Sequence, residues 1–223
     1  VEGRPALTFE AFLRDQLQSG RRKFLVVPLF FGQSRALTSF IPDIIGCLQK
    51  EFGPFGLTLA DVLCPLPDGD QRLARILCDN IETTLRAHGI PRSRVILVDH
   101  GSPTREVAAV RELLASQMRQ ILDPGISLHE AVMERRPGSE YDFTGRLLEE
   151  VLDELASSED DTPVVLSMLF LAPGRHAGSG GDITSIRDRV VAANPSLQAV
   201  ITPLVGEHSG LVDILKERLE QAL

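Results

Sequence analysis

Val164-Val165-Leu166-Ser167-Met168-Leu169-Phe170-Leu171 is an almost unbroken apolar run of strand length, β-branched where it begins. Such a run predicts a parallel-sheet strand buried on both faces, because a strand with one wet face would alternate apolar and polar residues. A matching run, Phe24-Leu25-Val26-Val27-Pro28-Leu29-Phe30-Phe31, lies 140 residues upstream, and the surroundings of both recur in the same order. Glu2-Gly3-Arg4-Pro5 corresponds to Glu134-Arg135-Arg136-Pro137, and amphipathic helices are predicted over Phe9–Gln18 and Phe143–Leu155. Downstream, helices carrying Asp43-Ile44-Ile45 and Asp182-Ile183 match. Cys64-Pro65-Leu66-Pro67 then matches Thr202-Pro203-Leu204-Val205, and Leu73–Leu77 matches Leu211–Leu215. The offset stays between 132 and 140 residues, the signature of an internal repeat with small insertions.

The second copy opens with elements absent from the first. Arg94–Val98 is a short apolar strand leading into Asp99-His100-Gly101-Ser102-Pro103, a helix follows from Thr104 to about Ile121, and Ser127–Glu134 is a second strand. The equivalents in the first copy would lie before Val1. Strands alternating with helices imply parallel sheets covered on both faces. The fold class is therefore α/β, with two homologous flavodoxin-like domains, residues 1–90 and 91–223, related by a pseudo-two-fold axis. The boundary falls where His88-Gly89-Ile90-Pro91 ends a helix. Ligands of such sheets bind beyond the carboxyl ends of the strands. That edge receives both His100-Gly101-Ser102 and the loop from Gly174 to Asp182.

Composition narrows the function. The 223 residues carry 23 Lys+Arg and 31 Asp+Glu, a formal charge of −8, with 43% hydrophobic and 24% charged residues. This is a globular balance, and its acidity argues against a nucleic-acid or anionic-membrane partner. The apolar runs are too short to span a bilayer, and the N-terminus does not read as a signal peptide. Cys47, Cys64 and Cys78 are odd in number and lack metal-type spacing, which suits reduced thiols in the cytoplasm.

The ordered set of His100-Gly101-Ser102 after a strand, Gly174-Arg175-His176 after Leu169-Phe170-Leu171, the Asp182-Ile183 helix start and the late Gly206-Glu207-His208 resembles the class II chelatases, which include the sirohydrochlorin cobalto- and ferrochelatases. The resemblance spans residues 94–223, and 1–86 reads as the latter part of a sister domain. It implies an enzyme, a lyase-type chelatase inserting a divalent metal (Co²⁺, Fe²⁺ or Ni²⁺) into a tetrapyrrole without a nucleotide, with His100 and His176 as catalytic residues and metal ligands. Neutral imidazole suits a borderline divalent ion and can accept a proton near neutral pH. Glu134 resembles the acidic residue that completes the family's metal site, although its Glu-x-Arg-Pro setting also fits a structural turn. Ser102, Arg105, Arg135, Arg136, Arg175, Gly178 and Gly180 are candidate substrate contacts: the arginines for a polycarboxylate macrocycle, the glycines as backbone N–H donors before a helix.

The first copy keeps the pattern without the donors, since Ser34-Arg35-Ala36 stands opposite Gly174-Arg175-His176. One active site is therefore expected, roofed by the first domain, in a monomer whose halves mimic a dimer. No Cys/His-rich tail follows Leu223, so no iron–sulfur cluster is expected. Gly178–Gly181 lacks the Lys of a phosphate-binding loop, which argues against a nucleotide. His208 is expected at the surface, His88 at a helix end and His129 within a sheet. Two competing functions are a non-catalytic tetrapyrrole or metal carrier or sensor, and an anion-binding α/β module.

Overall fold

Arg94–Asp99 has Val95, Ile96, Leu97 and Val98 all without solvent exposure, so both faces of the strand need partners. The side-chain period of two divides them: Val95 and Leu97 enter one apolar core, Ile96 and Val98 another. The computed structural model describes residues 7–67 and 70–223. In chain order it contains α1 (Phe9–Gln18), β1 (Lys23–Val26), a π-helical turn (Ala36–Phe40) running into α2 (Ile41–Phe52), β2 (Gly56–Leu59) and α3 (Arg72–His88). Then come β3 (Arg94–Asp99), α4 (Arg105–Ile121), β4 (Ser127–Val132), a 3₁₀ segment (Ser139–Thr144), α5 (Leu148–Ala156), β5 (Val164–Met168), α6 (Gly174–Ala177), α7 (Asp182–Ala193), β6 (Ala199–Ile201), a 3₁₀ turn (Val205–Glu207) and α8 (Gly210–Gln221).

Two separate parallel sheets result. One has the order β4-β3-β5-β6, with Val95 opposite both Leu128 and Val165; the other is the pair β1-β2, with Phe24 opposite Leu57. The β1-β2 pair corresponds through the repeat to β5-β6. Helices α5 and α7 close one face of the larger sheet, and α3, α4 and α8 close the other. The smaller sheet packs Phe24 and Leu57 against Leu13 and Leu17 of α1 and Ile44 and Leu48 of α2.

Local chemistry sets most boundaries. Thr8 caps α1 by accepting from the Ala11 N–H at 3.2 Å, and Leu13 and Leu17 share its buried face. In α3, Leu73, Ile76, Leu77, Ile81 and Thr84 form the helical stripe, and left-handed Gly89 (φ +62°) ends it. Although α3 lies before residue 90, it packs on the larger sheet; Leu73 and Leu77 have no exposure, each burial worth about 2 kcal/mol. Arg218 of α8 reaches back into the first repeat, donating to the carbonyls of Val62 and Leu63 and to Asp70.

Several predicted elements are shorter than the apolar runs. β1 stops at Val26, two residues before Pro28, which has no N–H for a ladder. The regular ladder of β5 ends at Met168 and of β4 at Val132, although Leu169 N–H still donates to Val98 O and Met133 N–H to Asp99 O. The helix predicted over Phe143–Leu155 begins at Leu148, since Gly145 (φ +110°) separates it from the 3₁₀ segment. Glu2-Gly3-Arg4-Pro5 lies outside the described residues.

Candidate metal and macrocycle site

The carboxyl end of β3 delivers His100. Gly101 follows in the left-handed region (φ +90°), and a Cβ there would fall 2.0 Å from the Glu134 carbonyl oxygen. Only glycine lets the two chains approach so closely. The ladder continues across this gap: Met133 N–H donates to Asp99 O at 2.8 Å and Glu134 N–H to His100 O at 3.1 Å. Beyond the strand ends the two side chains approach each other, with His100 Nε2 3.6 Å from Glu134 Oε1.

A buried ion pair holds the turn. Asp99 Oδ1 accepts from the Gly101 N–H at 3.0 Å and from Arg111 Nη1 at 3.1 Å. Burial pushes the Asp99 carboxyl up, while Arg111 and the Gly101 N–H act in the opposite sense. Arg111 also donates to Thr144 O at 2.8 Å, and Thr144 Oγ1 donates to Ser102 O at 3.2 Å. Strand, helix α4 and the 3₁₀ segment are thus tied around His100.

His176 arrives from far along the chain on α6, a single helical turn rather than an open loop. Its ring centroid is 4.7 Å from that of His100, with the planes at 79°. His176 Nδ1 lies 2.6 Å from Asp182 Oδ2, and His100 Nδ1 lies 3.0 Å from Gly101 O. A carbonyl or carboxylate only accepts, so Nδ1 carries the hydrogen in each neutral ring and Nε2 keeps its lone pair. The His100–Glu134 spacing is close to the roughly 3.4 Å that separates two donors each about 2.1 Å from a tetrahedral ion. Among the described residues, no three His, Cys, Asp or Glu side chains are gathered into a ready-made metal cage.

Two hollows adjoin His100. One, of about 260 Å³, is lined by Ser102, Glu134, Arg135, Arg136 and Thr144. The other, of about 180 Å³, has an apolar wall of Leu169, Phe170, Leu171, Val107 and Val110, and takes Phe31 from the first repeat. Of the other sequence candidates, Arg105 and Arg175 line neither hollow. Arg105 stacks over Phe143 with its Cζ 4.2 Å from the ring centroid, and Arg175 is 85% exposed beside Asp182. Ser102 Oγ accepts from the Thr104 N–H at 3.1 Å.

Gly178 lines a separate open hollow with His88, Ser179 and Arg187, and neither Gly178 nor Gly180 lines the hollows at His100. The loop that carries them is tight. A Cβ at Gly178 would approach the Gly174 carbonyl oxygen to 2.9 Å. His208, expected at the surface, is half-buried, accepting from the Gly210 N–H at 3.1 Å with Nε2 3.7 Å from Asp79. His129 lies half-buried on β4, where burial lowers its pKa. In the first repeat Ala36 begins the π-helical turn and offers no donor.

Sequence reasoning missed the Asp99–Arg111 pair, the bond from Asp182 to His176, and Phe31. Arg111 had a signal, since it stands between buried Ala108 and Ala115 on the apolar stripe of α4. Asp182 had none beyond its place at a helix start.

The CbiX family model matches residues 94–222. No curated protein matches the chain. Among solved structures, SirB from Bacillus subtilis with Fe³⁺ superposes with a TM-score of 0.73 at 17% identity, covering 98% of this chain and 78% of that one. SirB from Bacillus subtilis subspecies spizizenii in complex with cobalt gives 0.67 at 16%, covering 98% and 77%. CbiX, described as the terminal enzyme for siroheme biosynthesis in denitrifying bacteria, gives 0.59 at 16%, covering 97% and 80%. At these identities the likeness is one of fold.

Proposed function

The chain belongs to the CbiX family, and on that premise we propose that it is a metal chelatase inserting a divalent ion into sirohydrochlorin or a related tetrapyrrole, with His100 and His176 as the groups that receive the metal. The carrying observation is the meeting of these two rings, each with Nδ1 held by an acceptor, at the carboxyl edge of the sheet beside Glu134. The metal is a substrate that must be captured and then surrendered. Two imidazoles and one carboxylate suit that task better than a closed tetrahedral cage, which holds its ion. Insertion releases two pyrrole protons, and Glu134 or an imidazole nitrogen freed of metal can take them.

The hollows divide the macrocycle's chemistry. Arg135 and Arg136 would meet carboxylate arms, while the Phe31–Leu171 side would meet the apolar ring face. Each hollow is smaller than the roughly 300–1,000 Å³ of a typical ligand pocket, so the ring would lie across both with its outer edge in solvent. Cobalt and iron appear in the SirB structures, which makes Co²⁺ and Fe²⁺ the first ions to try. The test is absorption spectroscopy of sirohydrochlorin mixed with Co²⁺, Fe²⁺ or Ni²⁺ and the protein, with His100→Ala and His176→Ala as controls. Catalysed metallation by the parent and its loss in both variants is expected. Binding of sirohydrochlorin without any acceleration would leave a carrier instead of an enzyme.

A further inference from the structure

Asp182 is the first residue of α7, yet its side chain turns back to α6 and meets His176 Nδ1 at 2.6 Å. The segment between them is built for that return. A Cβ at Gly181 would lie 2.7 Å from the His176 carbonyl oxygen and 2.8 Å from that of Arg175. Any other residue there would push α7 away from α6, and Asp182 away from the imidazole. Gly181 N–H donates to Gly178 O at 2.9 Å, closing the turn.

We propose that Asp182 is the positioning residue of the site: it fixes the tautomer and aim of His176 so that Nε2 faces His100 and the incoming metal. This rests on reading His176 as a metal-receiving group. A free neutral imidazole exchanges its hydrogen between the two nitrogens and spins about its side-chain bonds. Bonding Nδ1–H to a carboxylate removes both freedoms and makes Nε2 the more basic donor. His100 obtains the same arrangement from the Gly101 carbonyl. The two rings thus present like atoms by different means. The first repeat retains Asp43 opposite Asp182 but has Ala36 opposite His176, so its acid has no ring to orient.

The test uses the 223-residue protein with Asp182→Ala, Asp182→Asn and Asp182→Glu. The probe is Co²⁺ alone, titrated calorimetrically, together with nitrogen-15 NMR of the His176 ring and thermal unfolding. In the parent, His176 should show the Nδ1–H tautomer. Asp182→Ala should lose that tautomer and weaken Co²⁺ binding by about 10–100-fold. Asp182→Asn keeps an acceptor oxygen but loses the charge at the start of α7, and it should retain most of the affinity. An unchanged tautomer and Co²⁺ affinity in Asp182→Ala would overturn the proposal. So would equal losses in the Ala and Asn variants, which would trace the effect to charge at the helix terminus. If the parent binds no Co²⁺, the reading of His176 as a metal ligand fails, while the NMR result still decides whether Asp182 sets the ring.

Discussion

Replacing Arg111 with Met removes the cation from Asp99, in a pair whose side chains are 3% and 13% exposed at 3.1 Å, and from Glu130 at 3.5 Å, which keeps Arg119. At an effective dielectric of about 20, two unit charges 3.1 Å apart attract by about 5 kcal/mol. Asp99 keeps the Gly101 N–H and can relieve itself by taking a proton, while Thr144 O loses its donor. The net cost near neutral pH should be about 3–5 kcal/mol, the usual range for orphaning one partner of a buried pair. Without Arg111 the folded-state pKa of Asp99, already raised by burial, climbs further. The folded protein then holds a proton that the unfolded chain has released. The Asp99 part of the cost is therefore smallest at acid pH, grows as pH rises between the parent's folded-state value and the variant's higher one, and levels off above it, on top of the pH-independent loss of the Thr144 contact. Adding Asp99→Asn should recover about 2 kcal/mol by removing the buried Asp99 charge, leaving the unpaired Thr144 carbonyl and the lost Glu130 contact. The chain has no Trp and a single Tyr, so urea unfolding is best followed by far-ultraviolet circular dichroism. A cost independent of pH, or a double variant no more stable than Arg111→Met, would refute this account of the pair.

Two further outcomes follow from charge. Arg135→Ala combined with Arg136→Ala should raise KM for sirohydrochlorin about 10-fold with little change in kcat, since contacts made before and during insertion act uniformly, and added salt should weaken capture more in the parent; an unchanged KM with the parent's salt response would mean that the carboxylates are held elsewhere. Burial would raise the Asp70 carboxyl, but hydrogen bonds from Arg72 and Arg218 hold it down at about 2. That stability is present above about pH 4 and disappears as pH falls toward the folded value, so Asp70→Asn should cost about 1–2 kcal/mol near neutral pH, allowing for a side chain 32% exposed, and nothing at the acid end. Chemical unfolding at both pH values measures it, and an equal cost at both would contradict the assignment.

The sequence by itself determined what local physics determines. The apolar runs at Phe24 and Val164 announced strands, of which only the second is fully buried, the stripe of α1 announced a helix, and Gly89 marked where α3 ends, because each rests on neighbours within a few residues. The carboxyl-edge rule also brought His100 and His176 toward one place, since parallel strands deliver their following loops to one side. Tertiary structure alone decided how those rings are held. Asp99 and Arg111 lie twelve positions apart, Thr144 is 33 from Arg111, and Phe31 comes from the other repeat. None of those separations carries a periodic signal. The glycines show the difference most plainly: at Gly101 and Gly181 the need for a bare backbone comes from a carbonyl of another turn, at Glu134 and at His176. The packing of α3 on the larger sheet is of the same kind. An amphipathic stripe specifies that a face must be covered, and only the assembled chain determines which sheet covers it.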